Sequence, residues 1–201
     1  MKNLHILLVL LLFGSAVQGQ NEKSQTSFSH KGYYNATNFG FLAGSIKNQN
    51  KAPFSFMMIN GYGVTDQIAL GFGFGAEFLQ ESYLPLVLDA RYYFRTQKLS
   101  PFIFIQGGYS LALDNETNNY ITYPYSSSSL WSGYTTLKPK GGWLFNPGVG
   151  IKSMFSDNLG ITFSIAYRFQ RLNYDKKGEE IDKVLEIDMN RLEIKFGILF
   201  K

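Results

Sequence analysis

The chain contains no cysteine and only 2 histidines in 201 residues. The first absence excludes a disulfide framework, a thiolate metal site and a cysteine nucleophile. The second leaves little for acid–base chemistry or imidazole ligation. Charge is scarce as well, at 17% of residues with a net of +4. A disordered tail needs many charges and few aromatics, and 16% of this chain is aromatic. So small and scattered a positive charge makes no nucleic-acid-binding face, and nucleic acid is not an expected partner. After Phe13 no apolar run approaches the ~20 residues of a membrane helix. The 20 glycines and the wealth of Phe, Tyr, Ile and Val favour pleated strands over a helical bundle.

The N-terminus carries a compartment signal. Lys2 precedes an apolar run from Leu4 to Phe13, broken by His5, and Val17-Gln18-Gly19 supplies a small-x-small pattern. Residues 1–19 therefore read as a secretory signal peptide cut after Gly19. The run is too short to span a hydrocarbon core of about 30 Å as a helix. Cleavage leaves His30 as the only histidine of the mature chain.

What recurs downstream is alternation. Leu159, Ile161, Phe163, Ile165, Tyr167 and Phe169 are large, and the residues between them are small or polar. A period of two over twelve residues defines both faces of a strand. The same pattern runs through 68–78, 84–94 and 192–200. Less regular strands are expected at 38–46, 54–64, 101–113 and 142–155. In 101–113 the faces are ambiguous, because Phe102, Ile103, Phe104 and Ile105 are all large. These eight strands exceed the five or six residues or so that are usual in soluble sheets. Residues 65–67, 96–100 and 156–158 make short connections rich in turn formers. Residues 47–53, 80–83, 114–141 and 172–187 make the other set, two of them long. Short turns at one end and long loops at the other suit a bacterial outer-membrane barrel, with both termini at the short-turn, periplasmic end. Residues 20–37 then read as a polar periplasmic leader and 38–201 as the barrel domain.

The distribution of charge gives the barrel its sidedness. Glu77, Asp89, Arg91, Lys152, Arg168, Glu193 and Lys195 all share the small-residue face. Turned to lipid, each basic residue near the midplane would cost roughly 2–4 kcal/mol. Turned inward, three acids and four bases nearly neutralise one another as an interior charge network. An eight-stranded barrel is just wide enough for side chains to fill. Tyr62, Tyr92, Tyr93, Tyr109, Trp143 and Tyr167 are placed to form interfacial girdles. The expected fold is all-β, an eight-stranded antiparallel up-and-down transmembrane β-barrel.

Four passages carry a family resemblance. They are Leu84-Pro85-Leu86-Val87-Leu88-Asp89-Ala90-Arg91-Tyr92-Tyr93-Phe94, Pro101-Phe102-Ile103-Phe104-Ile105-Gln106-Gly107-Gly108-Tyr109, Asn146-Pro147-Gly148-Val149-Gly150-Ile151-Lys152 with the strand after it, and Lys195-Phe196-Gly197-Ile198-Leu199-Phe200. The chain resembles the small outer-membrane β-barrels of the OmpA/OmpX-like superfamily from about Asn38 onward. The resemblance implies residence in the cell outer membrane, with outer-membrane lipid as its surroundings. The terminal passage is similar to the signal read by the barrel-assembly machinery, which is then a partner during biogenesis. The chain departs from that signal by ending in Lys201 rather than in the aromatic.

Several motifs carry less than they suggest. Gly71-Phe72-Gly73-Phe74-Gly75 imitates a nucleotide-binding glycine string, but no helix follows it. Asn35-Ala36-Thr37 and Asn115-Glu116-Thr117 match the glycosylation sequon by composition alone. Asp114, Glu116, Asn118 and Asn119 fit no calcium-loop spacing. Glu77 and Asp89 pair better with Arg91 than with each other as acid and base. Outer-membrane hydrolases resemble one another in placing a histidine at the extracellular rim, and His30 lies instead before the barrel. Catalysis, a metal and a cofactor are therefore not expected. Loop 114–141 holds Tyr120, Tyr123, Tyr125, Trp131 and Tyr134, which suit an extracellular glycan or protein ligand. The expected role is structural or surface recognition. The alternatives are a small-solute channel or a secreted lipocalin-like carrier, which the narrow lumen and the inward charges respectively oppose.

Overall fold

The computed structural model describes residues 28–44, 53–79, 81–114, 117–119, 135–177 and 184–201. Within them lie nine strands: β1 (Gly32–Ala43), β2 (Phe54–Gly63), β3 (Ile68–Phe78), β4 (Ser82–Tyr93), β5 (Leu99–Ala112), β6 (Thr117–Asn119), β7 (Thr135–Met154), β8 (Leu159–Lys177) and β9 (Val184–Phe200). Each pairs antiparallel with its chain neighbour from β1 to β5 and from β7 to β9. The β1–β9 and β5–β7 ladders close the ring. Eight strands are staves of the barrel. The three-residue β6 lies on the far extension of β7. The shortest stave, β2, has 10 residues, enough for a tilted strand to cross a membrane.

The alternation read from the sequence becomes inside and outside. Along β8, Thr162, Ser164, Ala166, Arg168 and Gln170 are buried, while Ile161, Ile165, Tyr167 and Phe169 are exposed. Leu88, Phe72, Phe74, Phe196 and Phe200 likewise lie on the outer wall. A soluble barrel would carry its polar residues there. In β5 the ambiguity resolves: Phe102 and Phe104 point in, Ile103 and Ile105 point out. The inward rings are accommodated by Gly150 and Gly148 on the neighbouring strand, where a side chain would collide with them. Gly61 gives Tyr34 its space in the same way.

Four expectations are corrected. The barrel starts at Gly32 rather than Asn38, because Tyr34 and Ala36 continue the buried phase of β1 toward the short-turn end. Residues 32–37 are therefore not leader. Tyr93 belongs to no outer girdle; it is buried and stacks on the His30 ring at 4.2 Å. The loops expected at 114–141 and 172–187 are partly strand. β7 begins at Thr135, β8 runs to Lys177 and β9 starts at Val184. Charged residues hold these extensions together across strands, as Lys140–Asp175 at 2.6 Å and Arg171–Asp188 at 2.6 Å do. Between Pro139 and Gly141 the β7–β8 register shifts, and Gly141 there has φ +89°, a left-handed conformation that a side chain would strain.

The two ends differ. Short turns close β2–β3, β4–β5 and β7–β8 with Val64 N–H to Ile68 O, Phe94 N–H to Pro101 O and Phe155 N–H to Leu159 O. Phe28 N–H donates to Thr96 O and Lys201 N–H to Asn158 O. Both described ends of the chain thus lie at the short-turn end. The extensions of β7, β8 and β9 project from the other.

Candidate functional site

The barrel interior holds most of the chemistry-bearing side chains. Inward phases of β3, β4, β5, β7, β8 and β9 bring Glu77, Asp89, Gln106, Asn146, Arg168 and Glu193 toward one axis, all of them buried. Arg168 is central and fully buried. Its guanidinium donates to Glu77 Oε1 and, at 3.0 Å, to Glu193 Oε1. Glu193 also accepts from Asn146 Nδ2 at 2.6 Å and pairs with Lys195 Nζ at 3.0 Å. Asn146 and Lys195 both donate to Gln106 Oε1, at 3.0 and 3.1 Å. Gln106 Nε2 in turn donates to Asp89 Oδ1 at 2.8 Å. Arg91 Nε at 2.7 Å and the Tyr34 hydroxyl at 3.3 Å both donate to Asp89 Oδ2. Six of the seven residues named from the sequence are thereby joined in one chain of contacts across β3, β4, β5, β7, β8 and β9. Pairing of this kind is what makes so many buried charges tolerable.

Lys152 is the exception. It is fully buried, yet no carboxylate reaches it among the described residues. It sits instead near the short-turn end, with Nζ 4.5 Å from the Phe28 ring centre and 4.8 Å from that of Tyr93. Phe28 and His30 fold into this mouth. His30 Nδ1 donates to Asp66 O at 2.6 Å, and Ser29 Oγ to Asp66 Oδ1 at 2.6 Å. Burial, reinforced by the Lys152 charge, lowers the His30 pKa to about 4.

Sequence reasoning omitted several interior residues. Arg191 is buried and reaches Leu42 O at 3.4 Å. Its phase is the same as that of Glu193 and Lys195, so alternation alone signals it. Glu81 accepts from Tyr83 OH at 3.3 Å and Tyr174 OH at 3.1 Å, above a layer of Leu42, Leu79, Leu172 and Met189. No pattern in residues 80–83 marks that site. Asn146 was legible only as an inward position, Gln106 fell in the strand of ambiguous phase, and Tyr34 fell in the stretch read as leader.

The outer aromatic positions Tyr62, Tyr92, Tyr109, Trp143 and Tyr167 are exposed on the wall. Tyr120, Tyr123, Tyr125, Trp131 and Tyr134 lie outside the described residues. Among the described residues, no group of three or more His, Cys, Asp or Glu is arranged to hold a metal.

No protein-family model matches the chain, and no curated protein matches it. Solved structures do match in shape. OprG of Pseudomonas aeruginosa, an outer-membrane protein, aligns with a TM-score of 0.59 at 11% identity, over 87% of this chain and 97% of that one. Neisserial surface protein A aligns at 0.54 and 12% identity, over 84% and 96%. Outer membrane protein W of E. coli aligns at 0.52 and 14% identity, over 86% and 98%. The chain is a closed, eight-stranded antiparallel β-barrel with the fold of the small outer-membrane β-barrel proteins.

Proposed function

We propose that the chain resides in the cell outer membrane as a sealed barrel whose work is done by its far-end loops, in membrane integrity or in recognition of a surface partner. The observation that carries this reading is the continuous run of paired side chains from Arg91 to Glu77. Fully buried Arg168, Glu77, Glu193 and Asn146 occupy the lumen where a solute would have to pass. A cavity beside Arg91, Gln106 and Lys195 measures only about 10 Å³, roughly room for one water. The apolar outer wall favours lipid as its surroundings. The aromatic-rich segment 120–134, which precedes β7 in the sequence, would supply the contacts for a glycan or protein ligand. The terminal strand, with Phe196, Ile198 and Phe200 outward, suits handling by the barrel-assembly machinery. His30, the one histidine among the described residues, lies at the short-turn end, which speaks against hydrolytic catalysis at the far rim.

Planar-bilayer recording tests the sealed interior. The expected result is no stable unitary conductance from the purified, reconstituted barrel. Reproducible single-channel steps that vanish on boiling the sample would overturn it in favour of solute passage.

A further inference from the structure

The mouth at the short-turn end holds an unanswered charge. Lys152 is fully buried and its Nζ has no hydrogen-bond partner among the described residues. The flanking Phe28 and Tyr93 faces attract a cation but supply no counter-charge. An ammonium buried in that way either neutralises or acquires an anion. Beside it is a cavity of about 20 Å³ lined by Lys152, Lys201, His30, Phe28, Tyr93 and Leu199. That is space for little more than one water-sized sphere. The Lys201 ammonium is anchored at its edge by donating to Ser29 O at 2.6 Å.

His30 adds a second unsatisfied group. Its Nδ1 faces the Asp66 carbonyl, which can only accept, so Nδ1 carries the hydrogen. In the neutral ring Nε2 then holds a lone pair, buried and without a partner among the described residues. Protonation would turn that atom into a donor.

We propose that this cavity is a binding site for one small monovalent anion of halide size, held by Lys152 and Lys201 and by His30 Nε2–H when the ring is protonated. The groups facing His30 set the linkage. Lys152 on β7 and Lys201 after β9 oppose its protonation, and Asp66 in the β2–β3 turn favours it. Tyr93 on β4 and Phe28 contribute ring faces and edges. An anion offsets the two lysines, so halide uptake and proton uptake strengthen one another reciprocally.

The test is chlorine NMR on the full folded chain in a zwitterionic detergent. Excess line broadening by the barrel is expected, relieved by bromide and not by phosphate at equal charge concentration. It should increase as pH falls from about 6.5 toward about 4, the range over which the buried His30 ring gains its proton. Lys152→Met should abolish it, and His30→Gln should remove the increase at the lower pH. Folding of each variant is read from its migration on a gel before and after boiling. Should Lys152→Met fail to fold, Lys201→Met serves, with an expected affinity about tenfold weaker, the scale of one charge-assisted hydrogen bond. Absence of excess broadening, equal broadening in the lysine variants, or equal relief by phosphate would each overturn the proposal.

Discussion

Arg168→Met isolates the energetics of the interior. The arginine is fully buried between two carboxylates, Glu77 and Glu193, which are fully buried themselves. Methionine preserves much of the volume and removes the charge. The two acids then fare differently. Glu193 keeps Lys195 and Asn146. Glu77 loses the single partner that the described residues give it. Removing one partner from a buried ion pair typically costs about 3–5 kcal/mol, because the other charge is stranded. The expected loss is at the upper end of that range, most of it arising at Glu77. The assay is urea unfolding of the barrel reconstituted in lipid vesicles, followed by tryptophan fluorescence. The second arm is Arg168→Met with Glu77→Gln. Replacing the stranded charge with a neutral amide should recover more than half of the loss, since unpaired charge rather than lost packing causes it. A single variant within about 0.5 kcal/mol of the parent, the range of ordinary surface changes, would refute the reasoning. So would a double variant no more stable than the single.

Other parts of the account make their own predictions. Arg91→Ala strands Asp89 beside Gln106 and Tyr34, and should lower the urea midpoint by a few kcal/mol equivalent, less than Arg168→Met because two neutral donors remain. Leu88→Arg, mid-strand on the outer wall, should destabilise the barrel in bilayers by about 2–4 kcal/mol; a change within about 0.5 kcal/mol would mean that Leu88 faces water. The docking of Phe28 and His30 should weaken in acid. The His30 pKa falls from 6.5 to about 4 on burial, so the docked segment prefers the neutral ring. Its stabilisation is complete above about pH 6.5 and declines as pH falls toward 4, by about 1–2 kcal/mol at pH 5. Hydrogen exchange at the Phe28 amide, corrected for intrinsic rate and run without halide, should quicken accordingly; His30→Gln should flatten the response.

Legibility followed the local period. In β8, large and small residues alternate so cleanly that one strand's sequence separates wall from interior. Arg191 was equally legible by phase, since it precedes Glu193 and Lys195 by even steps. The Phe102–Ile105 stretch was not, because both faces are large. Its inward rings are admitted by Gly148 and Gly150 on β7, some forty-five positions later in the chain, and single-strand periodicity holds no such information. The extensions of β7, β8 and β9 were hidden for a different reason. Their charges look like a solvated loop, yet cross-strand pairs such as Arg171–Asp188 stabilise a ladder standing in water. The N-terminal boundary moved because Tyr34 and Ala36 extend the inward phase through a stretch that composition marks as polar. The interior set was legible as a set of positions, but its partners were not. Inward phase says that Lys152 is inside; it does not say that its nearest neighbours are Phe28 and Tyr93 rather than an acid.

The central claim is a closed barrel with lipid against its outer wall. The most direct measurement is a urea-washed outer-membrane fraction run on a denaturing gel, with and without boiling. The account predicts that the protein stays in the membrane after the wash, and that the unboiled band migrates apart from the boiled one. A protein released by urea, or a single band unchanged by boiling, would contradict it.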